Sequence, residues 1–294
     1  MKKSLFQGSG VALVTPFTKD NKPDFEKYEE LINFHIAHKT DAIFVCATTG
    51  EAPTLNDSEH LELVKKAINV AKGRIPIIAG TGSNDTAHAI MMSREVEKMG
   101  ADGLLLVTPY YNKTTQRGLE VHYKEIAAST DLPCCVYNVP SRTGVHIEVE
   151  TLKRMYEHKN IVAIKEASGN MSYVSKIANE IPEIDIYSGN DDIIVPIMCM
   201  GGKGVISVAA NIIPEDVHDM CISALNGNFK KAAEMQLDML KLVNALFLEV
   251  NPIPVKEAMN IMGLSVGKCR LPLYDMDEKN VIKLKNEMKN YKLI

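Results

Sequence analysis

The chain has 294 residues, 46% of them hydrophobic and 24% charged, the make-up of an ordinary globular protein long enough for one large core or two modest ones. Its formal net charge of -4 leaves no cationic excess to grip nucleic acid or an anionic membrane, so small metabolites are the expected partners. Met1-Lys2-Lys3 runs into Ser4-Leu5-Phe6-Gln7, too short and polar for a secretion signal, and no window offers about 18 consecutive apolar residues; a cytoplasmic protein is expected.

Short apolar runs alternate with longer helical patterns along the chain. The runs are Val11 to Val14, Ala42 to Cys46, Ile75 to Ala79, Gly103 to Val107, Cys134 to Tyr137, Ile161 to Ile164, Ile184 to Tyr187 and Gly204 to Val208, and they have the length and β-branched content of strands buried on both faces. Gly8-Ser9-Gly10 reads as the approach to the first strand. Between most runs the apolar residues recur with helical period, as in Leu61, Val64, Lys65, Ile68 and Ala71 behind the N-terminal signal Asn56-x-x-Glu59. Eight βα units in succession favour a closed (β/α)8 barrel over an open doubly wound sheet, which usually has fewer strands.

Past residue 210 the pattern is helical only: Pro214 to Leu225, Phe229 to Val250, Pro254 to Met262 and Glu278 to Lys292. The first closes the last βα unit and the others form an extension, dividing the chain into a catalytic barrel over 1–226 and a C-terminal helical extension over 227–294. The six cysteines lack the C-x-x-C spacing of zinc or redox sites and read as reduced and structural, with the adjacent Cys134 and Cys135 on opposite faces of their strand.

Barrel active sites are built from the C-terminal strand ends and the loops behind them, so those positions can be read off directly. They carry Thr15-Pro16, Thr48-Thr49-Gly50-Glu51, Gly80-Thr81-Gly82-Ser83, Thr108-Pro109-Tyr110-Tyr111-Asn112, Tyr137 through Gly144, Lys165-Glu166, Ser188-Gly189-Asn190-Asp191 and Ser207. Lys165 is the informative one. A lysine closing the apolar run Ile161 to Ile164 is partly desolvated, which disfavours the ammonium and frees an amine to form an imine with a carbonyl substrate. The plain alternative is a surface lysine paired with Glu166.

No metal site is expected: His35-x-x-His38 lies on an early helix and not at a strand end. Gly201-Gly202-Lys203-Gly204 precedes strand 8 and the chain has no G-x-x-x-x-G-K-[ST], which argues against a phosphate loop, and Gly8-Ser9-Gly10 likewise precedes its strand, which is wrong for a dinucleotide fingerprint. Hydroxyls that both donate and accept, Tyr137 and Thr48 above all, can carry protons to and from an imine. Thr49 with the backbone at Gly50 could hold a carboxylate, and Arg142 a second one. Two other classes stay open: a metal-dependent aldolase on the same barrel, and a non-catalytic ligand-binding or regulatory barrel.

The motifs Ala47-Thr48-Thr49-Gly50-Glu51, Thr108-Pro109-Tyr110-Tyr111-Asn112, Tyr137-Asn138-Val139-Pro140-Ser141-Arg142-Thr143-Gly144, Lys165-Glu166-Ala167-Ser168-Gly169 and Gly204-Val205-Ile206-Ser207 together resemble the dihydrodipicolinate synthase family. The resemblance runs from about Gly10 past Asn251-Pro252-Ile253-Pro254-Val255-Lys256. It implies a (β/α)8 TIM barrel whose Lys165 forms a Schiff base with pyruvate, the enamine then attacking L-aspartate 4-semialdehyde, with no cofactor beyond the lysine imine. By the same resemblance Tyr137, Thr48 and Tyr111 form a proton relay, Tyr111 acting across a subunit interface of a homo-oligomer, commonly a tetramer built as a dimer of dimers. Thr49 would hold the pyruvate carboxylate, Gly189 and Ile206 would line its pocket through their backbone, and Arg142 would bind the aldehyde's carboxylate. Related pyruvate aldolases generally lack that arginine, which favours the synthase. Lysine-inhibited relatives have an effector pocket that Tyr110, His60 and Asn84 match. Asp57 and His88 stand where those relatives carry histidine and glutamate, so inhibition by L-lysine is expected to be weak or absent.

Overall fold

The computed structural model describes residues 2 and 4–294. Strands β1 (Gly8–Ala12), β2 (Ala42–Val45), β3 (Ile77–Gly80), β4 (Gly103–Val107), β5 (Cys134–Asn138), β6 (Ile161–Glu166), β7 (Asp185–Ser188) and β8 (Gly204–Ser207) pair in parallel in chain order, and β8 closes on β1. Parallel neighbours cannot be joined by a tight turn, and the crossovers here are helices that also cover the outer face of the sheet. They are α1 (Phe25–Ala37), α2 (Asp57–Ala71), α3 (Thr86–Met99), α4 (Gln116–Ala128), the one-turn α5 (Pro140–Thr143) with α6 (Val149–Tyr156), α7 (Met171–Glu180), α8 (Ile194–Cys199) and α9 (Pro214–Leu225). Beyond them lie α10 (Phe229–Ala245), α11 (Ile253–Ile261) and α12 (Glu278–Asn290).

The capping box expected at Asn56 is present: its side chain accepts from the Glu59 amide at 2.9 Å while the Glu59 carboxylate accepts from the Asn56 amide. The buried stripe of α2 is His60, Leu63, Val64, Ala67, Val70 and Ala71, rotated by about one position from the apolar set read from the sequence; Leu61 and Ile68 flank it, half-buried.

Inward residues of successive strands, among them Phe44, Ile78, Leu105, Cys135, Tyr137, Ala163, Tyr187 and Ile206, fill the barrel, while Cys134, Val136 and Ile164 face the helices. The adjacent cysteines therefore do point to opposite faces, and all six cysteines are free. The first strand begins three residues earlier than its apolar run. Phe6 stacks on Tyr187 at 4.4 Å between ring centres and meets Phe44 edge-on, and a Cβ at Gly10 would come within 2.8 Å of both Phe44 and Phe6. Glycine belongs inside β1 because these aromatic rings occupy the space a side chain would need.

The C-terminal helices have no core of their own: Met239, Leu242, Val255, Met259, Leu284 and Met288 are buried in the same apolar layer as the outer face of the barrel. Helix α10 stops at Ala245, five residues short of the sequence expectation. Pro252 disfavours helical backbone at Asn251, and the turn between α10 and α11 carries Asn251 to the barrel mouth. Lys256 on α11 is 2% exposed and donates to Glu51 Oε1 (2.9 Å), Thr15 O (3.0 Å) and Lys268 O (2.8 Å). Burial pushes its ammonium below the ordinary lysine range against the pull of Glu51, whose other oxygen accepts from the Arg270 amide at 2.8 Å. Glu51 sits at φ 57 in the left-handed region, a conformation that costs an ordinary residue about 1–2 kcal/mol. The buried pair thus holds the loop after β2 in a shape the free chain would rarely adopt.

Candidate active site

Strand periodicity aims the site. Ala163 points into the barrel, so Lys165, two residues on, does too, and Glu166 falls on the outer face beside Ile164. The Glu166 carboxylate accepts from Asn138 Nδ2 (2.7 Å) and from the Ser168 amide (2.6 Å), while burial pushes its pKa upward against those bonds. Glu166 is thereby engaged on the far side of the strand and Lys165 is only 5% exposed, which removes the surface-pair reading. The β5–β6 register sets Tyr137 beside Lys165, and the Lys165 Nζ lies 4.3 Å from the centre of the Tyr137 ring. Gly189 makes room: a Cβ there would sit 3.1 Å from Lys165 Cε and 2.6 Å from Ala167 Cβ.

A cavity of about 390 Å³ opens above these residues, lined by Lys165, Tyr137, Thr48, Thr49, Arg142 and Gly189, together with Ser141, Asp191 and Asn251. Arg142, on the one-turn α5, is exposed at its mouth and donates from Nη2 to the Asn251 carbonyl at 3.1 Å. Thr49 is buried and its Oγ1 accepts from Asn251 Nδ2 at 3.0 Å. Three of the expected site residues do not line this cavity. The Gly50 carbonyl accepts from Thr15 Oγ1 at 2.7 Å, which ties the loop after β2 to that after β1. Ile206 is fully buried in the apolar interior of the barrel, in register with Gly10. Tyr111 is 92% exposed with φ at 68, an aromatic side chain in water on a backbone conformation that bulky residues avoid.

The sequence assigns no role to Asp191 or Asn251, and both line this cavity. Asp191 is buried, its Oδ2 accepting from the amides of Val208 (2.9 Å) and Ala209 (3.1 Å), which fastens the loop after β7 to that after β8; burial pushes its carboxyl above the usual range. An acid one residue past a strand-end Gly-Asn was the available signal. Asn251 comes from the helical extension, and no strand-end rule points to it.

A second cavity of about 290 Å³ shares Thr48, Tyr137, Val139 and Arg142 with the first and reaches Asp57, His60, His88 and Tyr110. His88 Nε2 and Asp57 Oδ1 are 3.0 Å apart, and burial pushes the His60 imidazole down to about 4, leaving it neutral near pH 7. Asn84 does not line this cavity but donates from Nδ2 to the carbonyl of Tyr110, which does, at 3.2 Å. Of the early histidine pair, His35 meets the Thr40 hydroxyl and His38 the Phe34 carbonyl, and among the described residues no group of three or more His, Cys, Asp or Glu is arranged to hold a metal ion.

A lysine ending a barrel strand inside a polar cavity, with a phenol against it and hydroxyls and a guanidinium around it, is the arrangement of a (β/α)8 enzyme that handles a carbonyl substrate. The chain belongs to the dihydrodipicolinate synthetase family, whose model matches residues 5–291. A 4-hydroxy-tetrahydrodipicolinate synthase of Caldicellulosiruptor bescii is 57% identical over 288 residues, covering 98% of each protein. The chloride-inhibited dihydrodipicolinate synthase of Acinetobacter baumannii, solved with pyruvate, is 43% identical with a TM-score of 0.97 over 99% of this chain and 100% of that one. The enzyme of Cyanidioschyzon merolae, solved with lysine bound, is 38% identical with a TM-score of 0.96 over 99% of this chain and 100% of that one.

Proposed function

We propose that the chain is a 4-hydroxy-tetrahydrodipicolinate synthase, a lyase of the class I aldolase type that condenses pyruvate with L-aspartate 4-semialdehyde in diaminopimelate and lysine biosynthesis. The observation that carries this reading is the buried Lys165 against the Tyr137 ring in a cavity with Arg142 at its mouth. Lys165 Nζ adds to the C2 carbonyl of pyruvate, and loss of water leaves an imine that draws electrons from C3. Loss of a C3 proton gives the enamine, which attacks the aldehyde carbon. The amine of the semialdehyde then adds to C2 and displaces Lys165, closing the ring.

These steps move protons, and the reading assigns that work to Tyr137 and Thr48, whose hydroxyls belong to residues lining the cavity. The lysine imine itself supplies the electron sink, so the reading calls for no separate cofactor. Thr49 serves the pyruvate carboxylate and Arg142 that of the aldehyde. Among the described residues no helix is long and apolar enough to cross a membrane, in keeping with the proposed cytoplasmic location. The purified protein should consume pyruvate with aspartate semialdehyde and leave N-acetylneuraminate untouched; cleavage of the sugar acid in place of condensation would reassign it to the lyase branch.

The exposed Tyr111 fits a role in a neighbour's site within a homodimer, itself half of a tetramer. Mixing inactive Tyr111→Phe with inactive Lys165→Ala subunits, then dissociating and reassociating them, should recover activity in about a quarter of sites if pairing is random and two-fold. No recovery after verified exchange would put Tyr111 outside the partner's site. L-lysine should inhibit weakly or not at all. His88 replaces a carboxylate that would meet the effector's ammonium, and Asp57 already faces His88. The missing charge-assisted bond is worth roughly ten- to a hundredfold in affinity. Inhibition at sub-millimolar lysine in a steady-state assay would refute this.

A further inference from the structure

We infer that Asn251 is a positioning residue: its side chain turns the Thr49 hydroxyl toward the cavity, and its backbone carbonyl steadies Arg142. The inference rests on the roles proposed above for Thr49 and Arg142. Asn251 is 6% exposed at the cavity wall, and it touches both of these residues, one through its amide and one through its carbonyl. A hydroxyl that accepts a bond from an amide N–H keeps its own proton to donate elsewhere. With Asn251 Nδ2 donating at 3.0 Å, the Thr49 proton is left for an acceptor in the cavity, which is the polarity a carboxylate needs.

The contact to Arg142 works in the complementary sense. One guanidinium N–H is spent on the Asn251 carbonyl at 3.1 Å, which fixes an otherwise exposed side chain and leaves its other donors for a ligand. Asn251 Oδ1 is buried without a partner, so the contact to Thr49 is the hydrogen bond that orients the amide. The segment bearing Asn251 is itself anchored, since Lys256, five residues on, grips Glu51, two residues beyond Thr49. The extension and the loop after β2 are therefore tied at several points, Asn251 to Thr49 and both Lys256 and Arg270 to Glu51. Setting the spacing of two substrate holders matters because a misplacement of about 1 Å can cost roughly a hundredfold in rate.

The test is a double-mutant cycle on pyruvate, read as KM and as the rate of borohydride trapping. Asn251→Leu, close to asparagine in size, should raise the pyruvate KM about three- to tenfold, the worth of one hydrogen bond, and leave the aldehyde KM within about twofold because the Arg142 contact is to backbone. Thr49→Val should raise the pyruvate KM as much or more, and adding Asn251→Leu to it should change little further. An unchanged KM in Asn251→Leu, equal rises for both substrates, or a double variant whose effect is the product of the single ones would overturn the inference. If Asn251→Leu does not fold, Asn251→Asp serves: its carboxylate takes the Thr49 proton and repels the substrate's, so the pyruvate KM should rise, and an unaltered value overturns the inference. A wild-type enzyme that fails to trap pyruvate defeats the underlying reading, and this is seen before any variant is made.

Discussion

Replacing Lys165 with alanine should cost turnover on the order of 10⁴- to 10⁶-fold, the scale of losing a covalent nucleophile. Borohydride with pyruvate should add one pyruvate-derived mass to the wild-type peptide containing Lys165 and nothing to the variant. A second lysine makes the measurement selective. Lys256 is as deeply buried, but its three donors meet Glu51, Thr15 and Lys268, and it sits outside the cavity that holds Lys165. Lys165 has Glu166 turned away from it, a phenol ring at 4.3 Å and a cavity in front. Peptide mapping should therefore find the adduct on Lys165 alone. Pyruvate attached to Lys256, or an unmodified Lys165 peptide at saturating pyruvate, would dismiss imine catalysis at this position.

The reason Lys165 could be read from the sequence is geometric. A parallel barrel buries both faces of its strands, so each strand appears as a short apolar run, and the residue at which the run stops is the residue at the mouth. The same logic reached Tyr137, Thr48, Thr49, Arg142 and Gly189, all of which line the cavity. It failed where the cause lies elsewhere in the chain. Glycines 8 and 10 read as the approach to the first strand and not as part of it because the rings that require glycine at Gly10 come from Phe6 and Phe44. The end of α10 was hidden because residues 246–250 carry no helix breaker of their own; the proline that turns the chain lies beyond them. Asn251 belongs to a helical extension with no period or motif that announces a site, and only the folded chain brings it to Thr49. For Tyr111 the physical signal is exposure and backbone strain, neither of which a sequence displays.

Arg142→Ala should separate the two substrates. Arg142 is exposed at the cavity mouth, so Tyr137 and Lys165, the residue proposed to form the imine, should stay in place when the guanidinium is removed, and pyruvate trapping should continue. What is lost is the charge-assisted grip on the carboxylate of the second substrate. Fully buried pairs of this kind cost about 2–5 kcal/mol when one partner is truncated, and an exposed arginine belongs at the lower end, roughly 2–3 kcal/mol, or about thirty- to a hundred-and-sixtyfold in kcat/KM for the aldehyde. Arg142→Lys should recover only part of this, because an ammonium keeps the charge but cannot present the planar fork that meets a carboxylate at two points while a third donor holds the Asn251 carbonyl. The outcome that would overturn this is equal loss of trapping and turnover, which would make Arg142 a prop for the loop after β5 and leave the choice of aldehyde to other residues of the cavity wall.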